Sequence, residues 1–252
     1  MQPESPYKGP EVPVELNNWM KNLPSEIKKI PLYNLAIPGS HNSFSYSINS
    51  SSDFSPDFGL FNSARSARFL YKWKIIQWSK TQDHTLVEQL DHGIRVELNQ
   101  DLLAHKIFRY FDFRLCIRID DFTKNEYIPY TCHGLYAKPL INDLESIKKW
   151  FTNHQEEVLI IDFNHFAAVE NHQAMNSLHD LIVETLKPII YDWSKGVLMP
   201  SLENVRSQNA NILLLSSKIS NEYFRGGKSV IDSPWPNSDS VQVMTDNLKT
   251  TL

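Results

Sequence analysis

Two histidines, His41 and His133, an arginine, Arg114, and the polar side chains Asp112, Asp162 and Asn164 are residues whose types suit phosphodiester chemistry. A neutral imidazole accepts a proton from a nucleophile, and a protonated one returns a proton to a leaving group, because its ordinary pKa is about 6.5. Arginine adds a fixed charge and a fork of donors that matches phosphate oxygens. Residue types alone are a weak pointer, since the chain carries 9 histidines and most histidines in proteins are surface or core residues. Position in the fold has to strengthen it.

Strand-like runs place these residues. Leu32–Ile37 reads as a strand stopped by Pro38-Gly39, and Arg109–Leu115, Tyr127–Cys132, Val158–Phe163 and Asn211–Ser216 read as further strands. Helical stripes lie between several of them: Leu144, Ile147, Trp150 and Phe151, then Leu178, Leu181, Ile182, Leu186 and Ile189. Strands alternating with helices predict βα units around a parallel sheet. His41 follows the first strand, Asp112 and Arg114 lie in the second, His133 ends the third, and Asp162 and Asn164 end the fourth. In a (β/α)8 barrel that end of the strands is the active face. Residues two apart share a face of a strand, so Asp112 is expected to point with Arg114, and Asp162 with Asn164. By the same alternation His165 and Cys132 are expected to point away from the site.

Composition narrows the class. The 252 residues carry 25 Lys+Arg against 29 Asp+Glu, a formal charge of −4, which argues against a nucleic-acid binder. Hydrophobic residues make up 41% and aromatics 12%, enough for a real core. Cys116 and Cys132 make no disulfide framework, the first residues contain no apolar stretch of the signal-peptide kind, and no apolar run is long enough for a transmembrane helix. The expectation is a cytoplasmic protein, or one peripheral at membranes, with no nucleic-acid partner. Residues 1–15 are expected to form a flexible leader and 16–252 a single catalytic-type domain. Asn17–Leu23 reads as a short amphipathic helix, 45–66 as a long surface loop, and 67–82 as a helix in which Lys72, Lys74 and Lys80 project among Trp73 and Trp78. Such a basic, aromatic helix suits an anionic membrane surface, and core packing explains Trp73 and Ile76 equally well.

Four motifs in order sharpen the reading. Ile30-Pro31-Leu32-Tyr33-Asn34-Leu35-Ala36-Ile37-Pro38-Gly39-Ser40-His41-Asn42-Ser43-Phe44, then Tyr110-Phe111-Asp112-Phe113-Arg114, Cys132-His133-Gly134-Leu135 and Glu157–Phe166 resemble those of the phosphatidylinositol-specific phospholipase C X domain, in its small stand-alone subfamily. The resemblance spans roughly residues 16–240. It implies a distorted TIM-type (β/α)8 barrel acting on an inositol phospholipid at a membrane surface. His41 is the implied general base toward the inositol 2-hydroxyl and His133 the general acid toward the diacylglycerol oxygen. Arg114 would stabilise phosphate charge, and Asp112 would orient or polarise. Asn42, Asp162 and Asn164 are the implied substrate-binding residues. In the calcium-dependent branch a metal does the work of this arginine, so Arg114 implies no cofactor.

Three features depart from the family pattern. Asn42 stands where metal-free members have Asp and calcium-dependent ones have Asn as a ligand. Residues 96–109 interrupt the usual run from Gly93-Ile94-Arg95 into Tyr110, and their expected form is an added helical turn over Leu98–Phe108, or a shift that misplaces Arg114. Glu97 within them is the minority candidate for a calcium ligand beside Asn42. Finally, fewer than eight strands are legible, so the barrel is expected to be incomplete at its C-terminus. These departures leave an alternative, an impaired isoform that binds inositol lipid without turnover. A glycerophosphodiester phosphodiesterase would need a carboxylate-rich metal cluster near the first histidine, which Ser40-His41-Asn42-Ser43 does not supply.

Overall fold

The structure, a computed structural model, describes residues 16–58, 72–91, 94–99, 102–119, 127–167, 169, 172–226, 240, 242, 243, 245 and 246. The expected leader over 1–15 lies outside them. In chain order the elements are α1 (Ser25–Lys28), β1 (Gly39–Ser40), α2 (Lys72–Ser79), α3 (Leu86–Asp91), β2 (Ile94–Asn99), β3 (Leu102–Lys106), β4 (Tyr110–Ile119), β5 (Tyr127–Cys132), β6 (Tyr136–Pro139), α4 (Leu140–Phe151), β7 (Leu159–Ala167), α5 (His172–Leu186), α6 (Leu202–Ser207), β8 (Ile212–Ser216) and β9 (Phe224–Gly226).

The main sheet is mixed. β1, β4, β7, β8 and β9 run parallel to one another, β5 is antiparallel to β4, and β6 is antiparallel to β5. Among the described residues β9 and β1 share no ladder, so hydrogen bonds do not close the barrel. Helices α4 and α5 cover the outer face. Their apolar stripes, Leu144, Ile147, Trp150 and Phe151, then Leu178, Ile182 and Leu186, are buried with Phe111, Phe113, Ile161 and Phe163 of β4 and β7. The odd-numbered residues of β4 thus face the helices, which turns Asp112 to the other side.

Several expectations are corrected. Leu32–Asn34 is a 3₁₀ turn and the first strand begins at Gly39, where Pro38-Gly39 was expected to end it. Tyr33 is solvent-exposed, so no alternating face drives this segment into the sheet. Gly39 is required at the strand itself, because a Cβ there would lie 2.8 Å from the Tyr110 ring. Asn17–Leu23 is not a helix but a 3₁₀ turn over Leu16–Asn18 followed by turns. The described part of the 45–66 loop is packed, with Ser45, Ser52, Ser55 and Phe58 buried. The expected helix over 67–82 is observed from Lys72 to Ser79, its first residues lying outside the described set.

The interrupting segment is not helical. β2 and β3 pair as an antiparallel hairpin that forms its own two-stranded sheet. Alternation in Ile94-Arg95-Val96-Glu97-Leu98, then polar residues 99–101, favours a hairpin over a helix. The hairpin leaves the pairing of β4 intact, with Gly39 opposite Tyr110 and Asp112 opposite Asp162.

At the base of the sheet, Arg109 and Glu157 are fully buried and paired, with Nε donating to Oε2 at 2.9 Å. Glu157 Oε1 accepts the Lys21 amide at 2.8 Å, and Arg109 donates to the Asn17 and Leu90 carbonyls. The Arg109 amide donates to the Pro38 carbonyl at 2.9 Å. One ion pair therefore ties the first described segment to the starts of β1, β4 and β7.

Candidate active site

The site is set by how β4 is shared. One edge of β4 pairs with β7. Its other edge pairs with β1 at Tyr110 and Phe111, and with β5 from Leu115 to Ile119. β1 runs parallel to β4 and β5 antiparallel, so the two approach head-on along this edge. The residues that leave them, His41 and His133, come together over Asp112, Phe113 and Arg114. Antiparallel return, not a set of parallel strand ends, brings His133 to the site.

His41 Nδ1 lies 2.7 Å from Asp112 Oδ2. That oxygen also accepts the Asn42 amide at 3.1 Å, and Asp112 Oδ1 accepts the Asn164 side-chain amide at 2.6 Å. Burial pushes the Asp112 carboxyl up. The bonds from His41, the Asn42 amide and Asn164 outweigh it, and the carboxyl sits below its ordinary value. Asn42 holds a left-handed backbone, φ 47°, which asparagine tolerates better than most residues, and this turn aims its amide at Asp112.

His133 is buried. Its Nδ1 lies 2.9 Å from the Ser79 carbonyl, which can only accept, so Nδ1 carries the hydrogen and Nε2 is the exchanging nitrogen. The Trp78 indole stacks on the ring at 4.7 Å. Burial lowers the pKa of His133, the Ser79 carbonyl works the other way, and the Arg114 charge lowers it further. The Asn42 side-chain nitrogen Nδ2 is 3.4 and 3.5 Å from the two ring nitrogens.

Arg114 stands at a bulge. The ladder shifts between Phe113 and Arg114, so Arg114 faces His165 with Asn164 as the extra residue of β7. Arg114 Nε is buried and has no hydrogen-bond partner among the described residues. His165, which alternation put on the far face, is instead turned by the bulge toward Asn164 and hydrogen-bonds its side-chain oxygen. Burial lowers the His165 pKa and the Arg114 charge adds to it. Asp162 accepts the Tyr110 hydroxyl at 2.7 Å, and burial raises its carboxyl.

A cavity of about 790 Å³ opens beside His41, Asp112 and Asn164. Arg225 of β9 joins its polar end, while Ile37 and Leu215 are among its apolar walls. Sequence reasoning missed Arg225, Tyr110, Trp78 and Ser79 as members of the site. The shared hydroxyl-aromatic character of Tyr110 and its place two residues before Asp112 were available as a signal. Nothing local marks Arg225, because Phe224-Arg225-Gly226 is too short to show a period. Cys132 is buried beside Cys116, and both are free thiols.

Glu97 stands in β2, in the separate hairpin sheet, and Asn42 follows β1 in the main one. Among the described residues no group of three or more His, Cys, Asp or Glu side chains is gathered to hold a metal ion. Among the described residues no helix is long and apolar enough to cross a membrane.

No protein-family model matches the chain. The chain is 32% identical over 242 residues to PI-PLC X domain-containing protein 2 of Mus musculus, covering 93% of this chain and 64% of that protein. It is 30% identical over 240 residues to PI-PLC X domain-containing protein 2 of Homo sapiens, covering 93% and 72%. The chain thus spans about two thirds of the length of these relatives. Among solved structures, the phosphatidylinositol-specific phospholipase C from Listeria monocytogenes superposes with a TM-score of 0.61 at 20% identity, over 94% of this chain and 73% of that one. That likeness establishes the fold, a distorted TIM-type barrel. With the sequence match extending over nearly the whole chain, the chain belongs to the PI-PLC X domain-containing protein family.

Proposed function

We propose that the chain is a phosphoric diester hydrolase of the phosphatidylinositol-specific phospholipase C type, acting on an inositol phospholipid at a membrane surface. The observation that carries this reading is the pair of histidines facing each other over Asp112 and Arg114, one held by a carboxylate and the other by a carbonyl. Asp112 occupies His41 Nδ1, so Nε2 is the base that takes the proton of the inositol 2-hydroxyl. The hydroxyl oxygen bonds to phosphorus as the bond to the diacylglycerol oxygen breaks, and His133 Nε2 delivers a proton to that oxygen. Arg114 supplies positive charge to the phosphate as it passes through the transition state. Water then opens the cyclic inositol phosphate with the two histidines in reversed roles. Asn42, Asp162 and Asn164 line or support the inositol site, and no step needs a metal.

The test is hydrolysis of phosphatidylinositol vesicles, followed by phosphorus NMR for cyclic inositol phosphate, in chelator and then in calcium. His41→Ala and His133→Ala run alongside. Turnover in chelator that both variants lose supports the reading. Turnover only with calcium refutes the role of Arg114. Vesicle binding by a folded protein without turnover supports the impaired isoform.

A further inference from the structure

The general acid is held by a helix that strand reasoning does not see. His133 follows β5, yet its two tightest partners come from the C-terminal end of α2. The Trp78 ring lies 4.7 Å from the imidazole at 26° to its plane, and the next residue's carbonyl takes the Nδ1 hydrogen at 2.9 Å. The turn after His133 is fitted to the same helix end. Gly134 has φ 72°, and a Cβ there would meet Ser79 Oγ at 3.2 Å and Trp78 Cζ3 at 3.4 Å. Trp78 itself is 55% exposed while His133 is 6% exposed, so burying the indole is not the reason for the contact. Asn42 does not choose a tautomer, because its side-chain Nδ2 is almost equidistant from both ring nitrogens.

We propose that Trp78 is a positioning residue for the general acid, clamping the His133 ring so that Ser79 holds Nδ1–H and Nε2 alone faces the leaving group. The inference rests on the reading of His133 as the acid. A face-on indole keeps the ring from rotating away from the Ser79 carbonyl, and its π face favours the imidazolium that the acid step requires. Of the charged or titratable groups whose fields reach His133, Arg114 and His41 oppose its protonation and Asp57 favours it, as does the Ser79 carbonyl. The stacked indole adds to the favourable side.

The test uses the full chain with ¹⁵N-labelled histidine, as wild type, Trp78→Phe and Trp78→Leu, with His133→Gln to assign the signal. Long-range ¹H–¹⁵N spectra of the free protein above the titration range show which ring nitrogen carries the hydrogen. The expected result is the Nδ1–H form in wild type and Trp78→Phe, and a mixture of tautomers in Trp78→Leu. On phosphatidylinositol vesicles, Trp78→Leu is expected to lower kcat about tenfold or more with KM unchanged, and Trp78→Phe to retain most of it. A wild-type tautomer in Trp78→Leu overturns the inference. So does a rise in KM at constant kcat, which would make Trp78 a lipid contact, or an equal loss in Trp78→Phe. If wild type itself shows no turnover, the function proposed above fails, and the spectra of the free protein decide this inference by themselves.

Discussion

The Asp112 carboxylate bridges two strands to reach His41: Oδ2 lies 2.7 Å from the imidazole Nδ1 and also accepts the Asn42 amide, while Oδ1 accepts Asn164 from β7. The carboxylate thus fixes a ring that is itself about half exposed, with a side-chain relative exposure of 48%. Replacing Asp112 by Asn keeps the size and removes the charge. It is expected to reduce turnover by roughly 10²–10⁴-fold with the fold retained by circular dichroism, because the imidazole loses the partner that sets its tautomer. The folded pKa of Asp112 is below its ordinary 3.8, so its bonds contribute stability above that pH, lost as pH falls through the folded value. Asp112→Asn should therefore lose part of the acid limb of the wild-type stability profile. An activity unchanged in Asp112→Asn would remove the carboxylate from the mechanism.

His133 predicts a second pH signature. Its folded pKa is below the ordinary 6.5, chiefly through burial. The unfolded chain then binds the proton first, and stability falls as pH drops from about 6.5 toward the folded value. His133→Asn is expected to flatten that part of a urea-unfolding series against pH. In wild-type kinetics, kcat/KM should decline as pH rises through a midpoint below 6.5, since the free enzyme must hold this proton before substrate arrives. A basic limb above 7 would assign the acid to another group.

Arg114 sits at the bulge between β4 and β7 with its Nε buried and, among the described residues, unpaired. A planar fork held there is not reproduced by a flexible ammonium. Arg114→Ala is expected to lower kcat on phosphatidylinositol by about 10²–10³-fold, and Arg114→Lys to recover only a small part. Full recovery by Lys would show that charge alone is required. Addition of calcium should restore neither variant, because the proposed mechanism routes no step through a metal.

What could be read in advance follows the range of each interaction. α4 and α5 carry their own helical stripe and β8 a continuous apolar run, and their cores assemble where the pattern puts them. The motifs around His41, Asp112 and His133 were legible as those of the family because each is a short contiguous run. The way they meet was not. It depends on β5 running back along the edge of β4 that β1 leaves, and a single strand's sequence carries no mark of its neighbour's direction. His165 was misplaced for a related reason, since a bulge at Asn164 reverses alternation without any glycine or proline to announce it. Leu32–Ile37 has the apolar content of a strand, yet Pro31 and Pro38 bracket it, and its backbone closes a 3₁₀ turn. The hairpin over 94–106 was read against a family pattern, and its own alternation was the better guide.

The Arg109–Glu157 pair tests how the site is held from below. Both side chains are fully buried, and Glu157 also takes the amides of Met20 and Lys21. Removing one partner leaves the other charge buried and unpaired, which costs about 3–5 kcal/mol, whereas replacing both with apolar residues of similar volume can be close to neutral. Glu157→Ala is therefore expected to lower stability by about that amount in urea unfolding, and the double variant Arg109→Met, Glu157→Met by less. The exposed pair Lys21–Glu156 supplies the contrast, with Lys21→Ala changing stability by at most about 1 kcal/mol. Because the Arg109 amide also holds the Pro38 carbonyl, just before β1, the single variant should lose turnover as well as stability. If Glu157→Ala is no more harmful than Lys21→Ala, the starts of β1 and β4 are fixed by packing alone, and His41 owes its place to Asp112 and Gly39.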